Sequence, residues 1–528
     1  MLVVKKHHKL LLNLLDPDRV TTVIPTAKTI VCQGQTLVAV PHREEEVRVL
    51  RNLGFDPPAP ISSYYEFAGR YTPFIHQRAT SEFFTINPRA FCLNGMGSGK
   101  TLSVLWAFDY LRKAGVVKRM LVLSPLSTLE RAWGDEIFRN FPDMTFAVLH
   151  GTREKRHKLL ATDFDVYIIN HDGIKSGETV DLIRKREGLD LIVIDEIASF
   201  RNSDTERWKA LNAIVNPKYE VNGKMVVHPK EWVWGLTGTP TPNAPTDAWA
   251  QCRLIAPSRV PVYFGKFRDQ VMTPVSRFKW TPRPSALEIV KGCMAPAIRF
   301  SREDCIDLPP TTFVTRQAEL TPDQKRAYTD MLRHFKAEHD GGDITAVNEA
   351  VKVSKLIQIC CGAAYSKDGS AVAIPATNRI ELVKEIIEEA ESKVLVFVPL
   401  TAALVAVADA LRKDYSVEVV HGATPASERN KIFADFQKSP APRVLVANPA
   451  TLQHGLTLTA ASVTVWFAPI TSNEQYQQAN ARTVRPGQKL NTLIVNIEAT
   501  ELERKMYARL EGKQAMQGLL LDMLRGVE

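Results

Sequence analysis

Residues 90–101 read AFCLNGMGSGKT and residues 191–200 read LIVIDEIASF, and these two stretches decide the fold. In the first, an apolar run leads into Asn94-Gly95-Met96-Gly97-Ser98-Gly99-Lys100-Thr101 and a helical pattern follows, the context that a phosphate-binding loop requires. Gly95, Gly97 and Gly99 allow backbone N–H groups to turn inward around phosphate oxygens, where side chains would obstruct them. Ser98 lies inside this loop, Lys100 is expected to reach the β- and γ-phosphates, and the Thr101 hydroxyl to ligate Mg2+. The strict pattern has glycine where this chain has Asn94. Read alone, a glycine-rich turn with an incidental lysine is the competing interpretation. The second stretch ends an apolar strand in Asp195 and Glu196. Paired carboxylates are too costly to serve as core, because buried charges need partners. A metal ion supplies one, with Asp195 holding it and Glu196 activating the attacking water. A carboxylate pair that merely begins a helix is the alternative. With both elements in order along one α/β pattern, nucleotide hydrolysis is the better reading.

Working outward, short apolar runs alternate with amphipathic stretches. Strands are expected at 90–93, 120–124, 166–169, 191–194 and 233–236, and a second series at 394–398, 417–420, 444–447, 463–467 and 493–497. Continuous apolar strands separated by helices imply parallel sheets covered on both faces. Before the first series, residues 29–40 read as two strands around Gly34-Gln35 and residues 43–53 as a helix capped by Gly54. Asp56-Pro57-Pro58-Ala59-Pro60 then reads as a linker. Between the series, residues 320–362 read as helical, opened by Thr321-Pro322-Asp323-Gln324. The expected division is 1–70, a small accessory unit and linker; 71–310, a first lobe with a basic extension near 244–302; and 311–528, a second lobe with a helical insertion near 320–375 and a C-terminal helix.

Length and composition agree with a multidomain globular protein. The 528 residues are 45% hydrophobic and 24% charged, which excludes a largely disordered or fibrous chain. No apolar run approaches the roughly 18 residues of a membrane span. Lys5-Lys6-His7-His8-Lys9 before LLLNLL resembles a signal peptide only superficially, since the apolar part is short and no small-residue cleavage site follows. The seven cysteines form no C-x-x-C pair, so a reducing, cytoplasmic setting is expected. The formal charge of +9 is concentrated in residues 253–302, which alone carry +8, interleaved with six prolines and several aromatics. Prolines exclude one long helix there. The segment reads either as a phosphate-neutralising surface, with Arg277, Lys279 and Arg283 at its centre, or as a solvated connector anchored by its aromatics.

Far along the second series stands QANARTVRPGQ at 478–488, with Arg482 and Arg485 expected on one helical face. Taken alone they read as surface charge. Together with the earlier elements, the set resembles the superfamily-two helicase motors of the Swi/Snf type, which move on double-stranded DNA. The resemblance covers roughly residues 70–525. His76-Gln77 stands where the family has a glutamine reading adenine. SPLSTLERAWGDEI (124–137), DEIASFRN (195–202), LTGTPTPN (236–243), HGLTLTAAS (454–462) and QANARTVRPGQ resemble the family's ordered motifs. Arg299-Phe300-Ser301-Arg302 and Leu308-Pro309-Pro310 resemble its exit from the first lobe, and LTPDQKRAYTDML and KLIQICC its helical insertion. Ala198 departs from the pattern by replacing a histidine.

The resemblance implies two RecA-like parallel-sheet lobes with helical insertions, a small N-terminal α+β unit, and ATP with Mg2+ as cofactors. Gln77 and Gln478 are then expected at the nucleotide, and Arg482 and Arg485 as arginine fingers whose loss typically costs roughly 10³–10⁵ in rate. Ser124, Thr237, Thr239, Gly455 and Thr457 are expected to contact DNA phosphates, together with the basic segment, and phosphate contacts suit motion along any sequence. The implied partner is double-stranded or branched DNA, acted on in the cytoplasm of a bacterium or a phage-infected cell. A strand-separating helicase, a motor subunit of a larger repair or restriction assembly, and a decayed, purely binding ATPase are the alternatives. Intact Lys100, Asp195, Glu196 and Arg485 speak against the last.

Overall fold

The apolar runs form buried parallel strands that sort into two sheets, one in each of two compact units, Met1–Ile306 and Asp307–Glu528. The structure, a computed structural model, describes residues 1–32, 34–95, 97–221, 224–276, 280–300, 311–340, 346–365, 371–452, 457–485 and 487–512. Arg277, Lys279, Ser301, Arg302, Leu308, Pro309, Pro310 and Gly455 lie outside the described residues. No helix among the described residues is long and apolar enough to cross a membrane.

The first unit opens with four strands, β1 (Leu2–Val4), β2 (Lys9–Leu12), β3 (Lys28–Cys32) and β4 (Gln35–Pro41), in the antiparallel order β1-β2-β4-β3. Its main sheet contains β5 (Arg89–Cys92), β6 (Arg119–Ser124), β7 (Phe146–Val148), β8 (Val166–Asn170), β9 (Leu189–Asp195), β10 (Trp232–Leu236) and β11 (Ala297–Ile298), in the order β11-β5-β10-β9-β6-β8-β7. All its pairings are parallel. The central strands are apolar on both faces because helices cover both, which is why they read as unbroken hydrophobic runs.

The N-terminal strands share a core with this lobe. Leu10, Leu12, Val38, Val40, Val47 and Leu50 belong to the same buried cluster as Phe84, Val104, Leu105 and Phe108. Polar bonds reinforce the joint. Tyr65 Oη donates to Asp109 Oδ2 at 2.7 Å, Tyr110 Oη donates to Glu44 Oε1, and Trp106 Nε1 donates to the Ala68 carbonyl at 2.7 Å. The unit therefore braces two helices, Ile75–Ile86, which carries Gln77, and Lys100–Lys113, which begins at the phosphate loop.

The basic segment breaks into the short helices Phe264–Val271 and Ala286–Cys293 around a strand pair, Met272–Pro274 with Trp280–Pro282. Part of its charge is spent locally. The Arg268 guanidinium sits 4.0 Å from the Trp280 ring centre, Arg283 Nε donates to the Met272 carbonyl at 3.1 Å, and Arg253 Nη1 to the Pro257 carbonyl at 3.2 Å.

The second unit contains β12 (Thr311–Gln317), β13 (Lys393–Phe397), β14 (Val417–Val420), β15 (Val444–Ala447), β16 (Ala461–Trp466) and β17 (Thr492–Glu498), ordered β12-β17-β16-β13-β15-β14 and wholly parallel. The insertion supplies the helices Pro322–Asp340 and Ala346–Cys360. Its expected start is a reciprocal cap, in which Gln324 N donates to Thr321 Oγ1 at 3.3 Å and Thr321 N to Gln324 Oε1 at 3.1 Å. Buried Arg379 and Glu503 form an ion pair, Nη2 donating to Oε2 at 2.9 Å with Nη1 2.9 Å from Oε1, and pin the helix Glu501–Gly512 to the helix Thr377–Glu389.

Candidate active site

The phosphate loop joins β5 to the helix Lys100–Lys113, with Gly97 and Gly99 at φ of +79° and +75°. At Gly99 the requirement is double, because a Cβ would also overlap the Gln77 Nε2 amide. Asn94, the departure from the strict pattern, is a tie. Its Nδ2 donates to Thr80 Oγ1 at 2.8 Å, and its Oδ1 accepts from Phe300 N at 2.9 Å. A glycine there would lose both bonds. Lys100 Nζ donates to the loop carbonyls of Asn94 (3.0 Å) and Gly95 (3.1 Å). Ser98 Oγ is buried with no hydrogen-bond partner among the described residues. An orphaned buried hydroxyl beside a glycine cradle and a lysine fits an anionic phosphate group. Thr101 follows in the first helical turn, half-buried.

His76 and Gln77 grip this loop from the neighbouring helix. His76 Nε2 donates to the Ser98 carbonyl at 2.9 Å, Gln77 Nε2 reaches the same oxygen at 3.4 Å, and Gln77 Oε1 accepts from Phe74 N at 3.0 Å. The structure thus gives the buried Gln77 amide a loop-holding part, alongside the adenine contact expected from the sequence.

The carboxylates stand at the C-terminal end of β9, flanked by β6 and β10. Among the described residues, the bonds to the Asp195 side chain fall on Oδ2, from Ser124 Oγ at 3.0 Å and from Trp133 Nε1 at 3.0 Å. Oδ1 is then the oxygen that could face a cation. Fully buried Trp133 lies in a six-residue π-helical stretch, Leu129–Gly134. Such stretches are rare and recur at functional sites. Glu196 adopts the left-handed conformation, φ +54°, unusual for a residue with a Cβ. Neighbours over-determine it. Thr237 Oγ1 donates to Glu196 Oε1 at 2.6 Å, Ser199 N to the Glu196 carbonyl at 2.9 Å, and His171 Nε2 to the Asp195 carbonyl at 2.8 Å. A carbonyl only accepts, so His171 carries its proton on Nε2, and burial holds its pKa below the usual histidine value.

Ser124 and Thr237, expected at DNA phosphates, are both fully buried here, with hydroxyls bonded to Asp195 and Glu196. Parallel register is the cause. Leu123 pairs with Ile194 and Leu236 with Asp195, so the next residue on each flanking strand falls beside a carboxylate. Thr239 Oγ1, by contrast, is buried without a partner among the described residues. Trp133 and His171 are the site residues that the sequence reading did not assign. Trp133 carried a signal in its motif register, His171 none.

In the second unit the helix Asn473–Asn480 ends before the arginines, so Arg482 and Arg485 occupy the following turn and not a helical face. Pro486 disfavours helical backbone at its predecessor, and Thr483 Oγ1 back-bonds to the Asn480 carbonyl at 3.2 Å. Arg482 is buried, and its carbonyl accepts from Leu458 N at 2.9 Å. Arg485 Nε donates to the Ala481 carbonyl at 3.0 Å and its Nη1 to Thr457 Oγ1 at 3.4 Å, which brings two expected site residues together. Gln478 is buried, donating to Glu474 Oε1 at 3.2 Å.

The SNF2-related domain family matches residues 91–363, and the helicase conserved C-terminal domain family matches residues 378–487. A protein of Acyrthosiphon pisum secondary endosymbiont phage 1 is 26% identical over 457 residues, 82% of this chain and 94% of that one. The ISWI chromatin-remodeling complex ATPase of Saccharomyces cerevisiae is 24% identical over 455 residues, 81% of this chain. The chain spans only 38% of that yeast relative's length. Among solved structures, the Sulfolobus solfataricus SWI2/SNF2 ATPase core in complex with dsDNA is 21% identical, covering 87% of this chain and 94% of that chain at a TM-score of 0.41. The phosphate loop and paired carboxylates lie on one parallel sheet and the arginine turn on the other, in the order of the family's motifs, and the chain belongs to the SNF2-related family of helicase-like ATPases.

Proposed function

We propose that this chain is a motor that couples ATP hydrolysis to movement along double-stranded DNA, remodelling or repairing it in the cytoplasm of a bacterial or phage-infected cell. One observation carries the hydrolytic part: a carboxylate pair held by three neighbouring side chains, with a fourth on the Asp195 carbonyl, on the same sheet as a phosphate loop with an orphaned hydroxyl. In this reading Gly95, Gly97, Ser98, Gly99 and Lys100 hold the phosphates, with Gln77 and Gln478 near the nucleotide. Thr101 and Asp195 Oδ1 hold Mg2+, which supplies charge neutralisation at the phosphates. Glu196 takes the proton of the attacking water, aimed by Thr237. Arg482 and Arg485 offset transition-state charge.

The duplex part rests on the family's motif set and the basic segment. Thr239, Thr457 and Gly455, with Arg277, Lys279 and Arg283, are the proposed phosphate contacts, and none needs to read a base. Steady-state ATPase rates with duplex, branched and single-stranded DNA and with RNA test this assignment. Stimulation by duplex DNA of any sequence is expected. Stimulation by RNA or single strands alone would move the assignment to a strand-separating helicase.

A further inference from the structure

The turn joining β1 to β2 presents Lys5-Lys6-His7-His8-Lys9, all five exposed. Residues 1–15 contain no carboxylate, and among the described residues no ion pair engages Lys5, Lys6 or Lys9. A run of like charges is ordinarily a solvated face. Three features set this one apart.

The first is backbone strain. His8 lies at φ +48°, and it and Glu196 are the non-glycine residues with positive φ among the described residues. Strain of this kind persists only where the surroundings enforce it, and it gathers at functional sites. The second is the enforcement itself. The His8 ring stacks on Tyr64 with centroids 4.1 Å apart, and the His8 carbonyl accepts from His42 N at 2.8 Å. His42 Nε2 donates to the Pro58 carbonyl at 2.8 Å, so Nδ1 accepts from Tyr64 Oη at 2.9 Å. The third is the platform. Leu10 and Leu12, directly after the turn, are buried in one core with Val104 and Leu105 of the helix that starts at Lys100. The charges are thus displayed on a turn whose backbone is held by His42 and Tyr64 and whose strand packs against the phosphate-loop helix.

We propose that this turn is a separate nucleic-acid contact in which Lys5, Lys6 and Lys9 neutralise phosphates of a duplex backbone. Ammonium groups on flexible stems act as point charges without base preference, which suits a sequence-independent grip. The choice of duplex DNA as occupant rests on the proposed motor function.

The test compares the full-length wild type with a Lys5→Gln/Lys6→Gln/Lys9→Gln variant and a charge-preserving Lys→Arg triple, reading anisotropy of labelled duplex DNA against salt. DNA-dependent ATPase is measured in parallel. Loss of three phosphate contacts should flatten the log–log salt slope by up to about 2.7. Between 50 and 200 mM salt, wild-type affinity should then fall up to roughly 40-fold further than the Gln variant's. The Gln variant should need more DNA for half-maximal stimulation, with unchanged DNA-free and maximal ATPase, and the Arg variant should match wild type. An unchanged slope and half-stimulating concentration would overturn the proposal and leave an acidic protein surface as the turn's partner. A wild type that binds duplex but shows no stimulated ATPase would instead defeat the motor reading, while the slope comparison still decides the turn.

Discussion

Thr237 Oγ1 and Glu196 Oε1 are 2.6 Å apart, although 41 residues separate them in sequence. The bond ties the loop after β10 directly to the proposed catalytic base, next to a position where Ala198 stands in place of a histidine. Thr237→Val keeps the shape and removes the donor. Turnover at saturating ATP should fall roughly 10–100-fold, the usual cost of losing a supporting bond at such a site, with little change in ATP affinity. Thr237→Ser should restore most of it. Steady-state kinetics and equilibrium nucleotide titration of both variants check this. Wild-type turnover in the valine variant would remove the hydroxyl from the mechanism.

Trp133 and Ser124 act on the same oxygen, Asp195 Oδ2. Trp133→Phe retains most of the buried ring and deletes only the indole donor. The Mg2+ concentration giving half-maximal ATPase should rise by about 10-fold, and Mn2+ binding in the presence of nucleotide, followed by spin resonance, should weaken in parallel. Ser124→Ala should act in the same direction, and the double variant should cost less than the sum, because both bonds hold one group.

These carboxylate partners show what was legible in the sequence and what was not. Strands such as Leu189–Asp195 and Val444–Ala447 announce themselves as apolar runs, since burial on both faces leaves no alternation. The phosphate loop and carboxylate pair are local in sequence and were read directly. Ser124 and Thr237 read as DNA contacts only through the family resemblance. Their bonds to Asp195 and Glu196 follow from the strand order β10-β9-β6, which no local pattern encodes. The spacing of three between Arg482 and Arg485 suggested one helical face, but the helix ends at Asn480, consistent with Pro486 disfavouring helical backbone before it. Of the N-terminal strands, the pair within residues 29–40 was legible but Leu2–Val4 and Lys9–Leu12 were not, and the burial of Leu10 and Val40 against the motor lobe depends on long-range packing.

Arg485 approaches Thr457 in a turn that exposes part of its guanidinium. Arg485→Ala should lower turnover far more than it raises the ATP dissociation constant, because a finger acts mainly in the transition state. Arg485→Lys should rescue it incompletely, since an ammonium lacks the forked donor geometry. If single-turnover measurements show either variant at the wild-type rate, Arg482 becomes the finger.

His42 and His171 both have pKa values held below 6.5 by burial. The unfolded chain therefore binds more protons below that pH, so the stability from keeping them neutral is full above about 6.5 and is lost as pH falls through their folded values. Melting temperature should decline from pH 7 to 5. His42→Gln, which retains a donor toward Pro58, should flatten that decline. An identical pH slope in the variant would show that His42 does not contribute.

The central claim is directed movement on intact duplex, and displacement of a third strand from a DNA triplex tests it most directly. With ATP and Mg2+ the wild type should strip the third strand while leaving the duplex paired, and Glu196→Gln should bind ATP yet release nothing, having kept the shape and lost the base. Separation of the duplex strands, or no displacement despite DNA-stimulated hydrolysis, would contradict it.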